Sequence, residues 1–254
     1  MSSNIWTRCA GEREVRPLAC SVLRAVEAQH VIATRKLVDS PAEQEWLEAL
    51  IDSAKPPWPR GMDRAGLHYL LATPFRYPPL RHGSRFGSRG QPGIWYGSRR
   101  RHTALAEVAY YRLLFLEGSA AKIDRLEMEL STFRIRVESS RGVDLAGPAF
   151  AVCRAEIASP TSWVATRALG QAMREAGVEL FLAPSARDPR GGVNVGLFSP
   201  APFGSRRPGR FTSWHCTTTS AGVEFTRRSL GRRETLVFAR ELFVVDGALP
   251  RPGI

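Results

Sequence analysis

The run TALAEVAYYRLLFLEG, Thr103–Gly118, reads as a single helix that opens at Thr103 and ends near Gly118. It is apolar along most of its length, so it needs other elements to pack against it. Glu107 lies inside that apolar part. With Thr103 as N-cap, the capping-box position is Ala106, so Glu107 is not explained as a capping acid. Its helical neighbours are Ala104, Val108, Tyr111 and Leu114. A carboxylate in that company is partly desolvated unless an arginine pairs with it. Two outcomes are open: a buried Arg–Glu pair that ties a strand to the helix, or a site residue.

The approach to this helix is basic. No acid occurs from Arg64 to Ala106, and the chain of 254 residues carries a net charge of +12. Lysine occurs only at Lys36, Lys55 and Lys122; every other basic side chain counted in that charge is arginine. A guanidinium makes two-point contacts with phosphate or carboxylate. The charge therefore points to an anionic partner: nucleic acid, a phosphate-bearing small molecule or an acidic protein. An arginine-rich codon bias produces the same ratio without any function. No apolar run is long enough to span a membrane, and the first residues lack the apolar core of a secretory signal, so the expected location is the cytoplasm. Cys9, Cys20, Cys153 and Cys216 form no C-x-x-C pair, so reduced thiols and no metal site are expected.

Strand and helix patterns follow one another without a regular βα alternation, which predicts an α+β fold. Ser21–Asp39 has strand character. Ser40, Pro41 and Glu43 signal a helix start with a capping box, and Trp46, Leu47, Leu50 and Ile51 form an apolar stripe expected to pack inward. LHYLLATPF, GIWYGS, KIDRLEMELSTFRIRVES, VELFLA, GGVNVGLF and RETLVFARELFVV read as strands, and PTSWVATRALGQAMREAG as a helix. This suggests an N-terminal extension of strand and helix over 1–60, a main domain over 61–204, and C-terminal strands over 205–254 that complete or cap it. GGVNVG lacks the spacing of a dinucleotide-binding glycine loop.

Arg85, Tyr96 and Glu107 are spaced eleven residues apart, and one strand and one helix carry the three. An arginine for phosphate, an aromatic for a flat ring and a carboxylate for a sugar hydroxyl suit a dinucleotide. Cleaving a bond from ribose to a good leaving group passes through an oxocarbenium-like state, which a nearby carboxylate stabilises.

The segment PFRYPPLRHGSRFGSRGQPGIWYGSRRRHTALAEV resembles the RES-domain family, and FLAPSARDPRGGVNVGLF resembles that family's second block; together they span about residues 70–200. The resemblance implies an ADP-ribosyltransferase-like arrangement of mixed and antiparallel sheets with flanking helices. It implies a toxin of a bacterial toxin–antitoxin module that consumes NAD⁺ as substrate, with no prosthetic group. It implies a DNA-binding antitoxin of the Xre helix-turn-helix type as partner. Carried over by motif, the family's first arginine and its tyrosine fall on Arg76 and Tyr77, the next arginine on Arg85, the strand tyrosine on Tyr96, the glutamate on Glu107 and the serine on Ser185. Arg24 in VLRAVEAQ is a rival for the first arginine, and Ser162 or Thr166 beside Trp163 for the serine. In those roles Arg76 and Arg85 clamp the pyrophosphate, Tyr77 or Tyr96 stacks on nicotinamide, Glu107 holds the ribose and Ser185 orients a ribose or nicotinamide group. Arg76 and Tyr96 are placed with Glu107 in the catalytic set.

Three alternatives remain at this level. Capture of the ribosyl group by water or phosphate depletes NAD⁺, whereas capture by a protein side chain makes a mono-ADP-ribosyltransferase with a protein acceptor. A basic nucleic-acid-binding module accounts for the charge but leaves Glu107 unexplained. A catalytically dead domain would serve only its partner. Residues 1–60 and 205–254 are available for antitoxin contact or a homodimer.

Overall fold

The computed structural model describes residues 4–28, 38–79, 82–229 and 231–252. In chain order the elements are α1 (Ile5–Arg8), β1 (Arg16–Glu27), α2 (Pro41–Ser53), α3 (Tyr69–Arg76), β2 (Trp95–Ser98), α4 (Arg101–Gly118), β3 (Arg125–Asp144), α5 (Arg154–Ile157), α6 (Val164–Glu175), β4 (Leu180–Pro184), β5 (Val193–Leu197), β6 (Thr212–Thr219), β7 (Gly222–Ser229) and β8 (Arg232–Ala239). The fold is α+β. The strands run β1-β2-β5-β4-β3-β6-β7-β8, and β1 also pairs with β3. Among the described residues only β3 and β4 pair in parallel.

The second pairing of β1 closes a ring. β1, β2, β5, β4 and β3 form a five-membered cycle of ladders, and β6, β7 and β8 extend from β3 as a meander. β3 makes this possible by its length. One edge pairs with β1 from Leu130 to Gly142, and the other pairs first with β6 and then, near Gly142–Asp144, with β4. Phe133, Ile135 and Val137 are buried while Arg134, Arg136 and Glu138 are exposed, the period of two that a half-buried strand requires. Val22, Trp95, Leu180, Leu182, Val195 and Leu197 from the other ring strands join those three, and Leu71 and Phe75 of α3 close the cluster.

Two other cores flank the ring. α1, α5 and α6 pack on Phe181, Ala183 and Val143. α4 contacts β1, β2, β5, β6, β7 and β8. Its buried residues, including Leu105, Ala106, Ala109, Tyr110 and Leu113, meet Trp214, Phe225 and Phe238 of the meander. The Tyr110 hydroxyl donates to the Pro250 carbonyl, which fastens the C-terminal segment over the helix.

Several expectations are corrected. LHYLLATPF is not a strand: the His68 ring accepts from the Leu70 N–H, and Leu71, Ala72 and Phe75 are buried at helical spacing. α4 starts at Arg101, with Arg100 as its N-cap, so Thr103 lies inside the first turn. The capping box at Ser40 and Glu43 forms as expected, but the stripe of α2 is not packed inward, with Trp46 73% exposed and Leu50 58%. The strand expected over Ser21–Asp39 belongs to β1, which begins at Arg16 and ends at Glu27; residues 29–37 lie outside the described residues. RETLVFARELFVV breaks after Ala239 into a single 3₁₀ turn, Arg240–Phe243. Among the described residues no helix is long and apolar enough to cross a membrane, and no group of His, Cys, Asp and Glu is placed to hold a metal ion.

One close approach sets the position of α6. A Cβ on Gly170 would sit 2.0 Å from the Phe86 carbonyl oxygen, so the helix rests directly on the backbone that follows Arg85. Gly170→Ala should therefore destabilise the chain by about 1–3 kcal/mol through overpacking and lower its thermal midpoint by several degrees. An unchanged midpoint would contradict that contact.

Candidate functional site

A cavity of about 430 Å³ opens where α4, β1, β2, the end of β4 and β5 converge, and the loop 84–86 and Trp163 complete its wall. This is within the usual range for small-molecule sites. Arg24, Arg85, Tyr96, Glu107, Arg187 and Asn194 line it.

Glu107 makes no ion pair among the described residues. Its Oε1 accepts from the Ser185 hydroxyl at 2.7 Å and from the Asn194 side-chain amide. Each donor is itself oriented. Ser185 Oγ accepts from the backbone N–H groups of Arg187 at 3.1 Å and Asp188 at 3.0 Å, which turns its own proton toward Glu107. The Asn194 Oδ1 accepts from buried Ser98 at 2.7 Å, which turns the amide N–H₂ toward the same oxygen. Two directed donors on one oxygen fix the carboxylate plane, and no donor among the described residues reaches Oε2.

The turn after β4 is tied to the start of α4 through Asp188. This buried carboxylate accepts from Thr103 Oγ1 at 2.7 Å and lies 3.0 Å from His102 Nδ1. An acid beside the first turn of a helix also meets the positive end of its dipole. Gly192 is required by this packing: a Cβ there would stand 2.3 Å from both Asp188 Oδ2 and Thr103 Oγ1.

Three guanidiniums surround the carboxylate, and backbone carbonyls rather than acids hold them. Arg85 donates to Ile157 O at 3.2 Å and Ser159 O at 2.8 Å, and burial lowers its pKa from the ordinary value. Arg187, 4% exposed, donates to Pro160 O at 3.1 Å and lies 3.5 Å from the centre of the Tyr110 ring. Arg24 donates to Tyr96 O at 3.0 Å and lies 5.0 Å from the centre of the Trp95 ring; its buried Nε has no partner among the described residues. Burial pushes the Arg24 guanidinium down to about 10, so it stays cationic at neutral pH. Apart from the Arg112–Glu27 pair at the rim, these three cations face Glu107 alone. Buried charge without a partner is costly. The cavity thus carries positive charge that an entering anion would balance.

Tyr96 Oη lies 3.5 Å from Ser84 Oγ, and burial pushes its phenol up to about 12. Its ring packs edge-on against Phe181. Tyr111 stands half-exposed in the cavity lining.

The structure therefore brings Arg85, Tyr96 and Glu107 to one cavity and sets Ser185 against Glu107. It does not bring Arg76 and Tyr77. Arg76 donates to Asp52 at 2.8 Å and to Pro56 O at 2.7 Å and lies over the Trp58 ring, while Tyr77 is 40% exposed at the end of α3. The placement of both in the site is corrected: α3 faces the barrel interior at Leu71 and Phe75, which carries its C-terminus away from the cavity. Arg24 lines the cavity instead. Of the rivals for the serine, Thr166 is fully buried and donates to Trp163 O, and Ser162 caps the turn before α6. Sequence reasoning missed Asn194, Arg187 and Asp188. The one signal for Asn194 was a lone amide within an otherwise apolar strand, VNVGL.

If the cavity is an anion site, inorganic pyrophosphate should raise the thermal midpoint, with a gain of about 2.7 kcal/mol at a hundredfold excess over Kd. Arg24→Met should abolish that gain and Arg76→Met should keep it. The reverse pattern in a thermal-shift titration would return the first arginine to α3.

No curated protein sequence matches the chain. Among solved structures, a chain of the crystal structure of the M. tuberculosis MbcT–MbcA toxin–antitoxin complex superposes with a TM-score of 0.44 and 15% identity, over 85% of this chain and 93% of that one. The RES domain model matches residues 57–219, well over half of the chain and all of the cavity wall except the β1 residues. The chain belongs to the RES-domain family.

Proposed function

We propose that the chain is the toxin of a toxin–antitoxin module and cleaves the nicotinamide–ribose bond of NAD⁺ in this cavity. The observation that carries the proposal is the geometry of Glu107. One carboxylate oxygen is held by Ser185 and Asn194, no donor among the described residues reaches the other, and Glu107 lines the cavity with Arg24, Arg85 and Arg187, whose guanidiniums make no ion pair among the described residues. A dinucleotide supplies what those groups lack. Its pyrophosphate takes charge-assisted bonds from Arg24 and Arg85, with Arg187 alongside.

As the bond to nicotinamide breaks, the electron pair leaves with the neutral nicotinamide and positive charge spreads over the ribose ring carbon and oxygen. Glu107 stabilises that charge electrostatically and accepts a hydrogen bond from a ribose hydroxyl. Its fixed plane means little reorganisation accompanies the reaction. Tyr96 offers a ring for the nicotinamide. Ser185 and Asn194 are positioning residues that act through Glu107. Water or phosphate then captures the ribosyl cation, which depletes NAD⁺. The cognate antitoxin is of the Xre helix-turn-helix type, the partner that the RES resemblance implies, and the site of action is the cytoplasm.

Purified chain incubated with NAD⁺ should release free nicotinamide. Glu107→Gln should reduce the rate at least about a hundredfold with an unchanged thermal midpoint. Ser185→Ala and Asn194→Ala should lower kcat by about tenfold with little change in KM. Release by the chain alone supports hydrolysis or phosphorolysis; release only with lysate, with label fixed on protein, means transfer to a protein acceptor. No release from folded protein would sink the enzymatic reading.

A further inference from the structure

Two arginine runs separated by more than a hundred residues meet on one face: Arg99–Arg101, and the β7–β8 hairpin with Arg227 and Arg232. Glu234 is the join. Its Oε1 accepts from Arg101 Nη1 at 2.7 Å and its Oε2 from Arg227 Nε at 2.6 Å. Both guanidiniums lie over the buried Trp214 ring, 5.4 and 5.1 Å from its centre. One carboxylate thus spaces two cations, and the face stays positive. Arg232 lies two residues before Glu234 on β8 and so shares its side of the strand. On the other flank the Arg99 N–H donates to Val193 O at 2.9 Å, and Arg190 stands in the adjoining turn, its N–H donating to Asp188.

Arg99, Arg100, Arg190 and Arg232 are exposed, and among the described residues none of the four makes an ion pair. None of them lines the cavity. Like charges held together in this way raise the local potential and draw in a polyanion. Among the described residues, the large apolar side chain these segments expose is Val237 of β8, and strand alternation puts it on the side away from Arg232 and Glu234. Guanidinium forks spread over a helix start, a turn and a hairpin suit phosphates repeated along a backbone.

We infer that this face docks the phosphate backbone of a nucleic acid, independently of what the cavity cleaves. The test is fluorescence anisotropy of a short labelled DNA duplex across a salt series. Replacing Arg99, Arg100, Arg190 and Arg232 with Gln should weaken binding at least tenfold and reduce the log–log salt slope by about 3.6. The single variants Arg99→Gln and Arg232→Gln should each reduce the slope by about 0.9. Nicotinamide release should be unchanged in all of them, which separates this inference from the chemistry of the cavity. A matched control, with Arg13, Arg60, Arg89 and Arg210 changed to Gln, removes the same charge from exposed positions elsewhere and should keep the parent slope. Lysine at the four strip positions should retain most of the binding. Equal loss in strip and control variants would reduce the effect to net charge and overturn the inference, as would parent-like binding by the strip variant. Displacement of the duplex by polyglutamate more readily than by unlabelled duplex would reassign the face to an acidic protein.

Discussion

A carboxylate in the middle of a helix that packs on six strands has few ways to be satisfied, and the way this chain does it organises the site. Glu107 is held by a hydroxyl and an amide, each oriented by a second bond to backbone or to buried Ser98. A guanidinium at the same place would neutralise the acid and leave nothing for a substrate. Neutral donors fix the carboxylate and keep its charge. The turn that carries Ser185 is in turn anchored to the start of α4 by Asp188. Helix, strand β5 and the β4–β5 turn therefore fix one another through Glu107, Asn194, Ser185 and Asp188, and the closed ring of strands holds β2 and β5 at the required spacing.

The arginines obey a complementary logic. Burying a cation beside an acid is the common solution, yet Arg24, Arg85 and Arg187 are held by carbonyls and aromatic faces. Carbonyl dipoles orient a guanidinium without cancelling its charge. The chain thereby keeps positive potential in a low-dielectric space, where it acts most strongly on an entering phosphate. Some folding stability is given up for that. An anion bound there would restore it, which would couple occupancy to stability.

The main features of the fold were legible because strong local signals agreed with the tertiary structure. The capping box of α2, the alternation of Phe133, Ile135 and Val137, and the apolar run of α4 each specify an element on their own. The failures have physical causes. LHYLLATPF has the composition of a strand, and its helical state depends on a His68 cap that composition does not reveal. Closure of the ring rests on β1 pairing with β3 across more than a hundred residues, and no local pattern encodes such a pairing. Within the site, Arg85, Tyr96 and Glu107 were readable because they sit on successive pieces of one continuous segment. Arg24 lies far upstream, and Asn194 and Arg187 far downstream, so only the folded sheet brings them together. Arg76 was misplaced for the same reason: its neighbourhood in sequence resembles a site, but its helix faces the other way.

Arginine thus does two different things in one chain, and the distinction depends on what holds it. Inside the cavity, carbonyls fix each fork in a set direction, which suits a small ligand of defined shape. On the outer face, Arg101 and Arg227 are spaced by Glu234 while Arg99, Arg100, Arg190 and Arg232 are exposed and make no ion pair among the described residues. A loosely held fork gives little geometric selectivity but adds to a long-range field that falls off with salt. Net charge alone says nothing about this division. It comes from burial and from the partners of each guanidinium, which is why an arginine-rich composition can serve a defined cavity and a diffuse surface in the same fold.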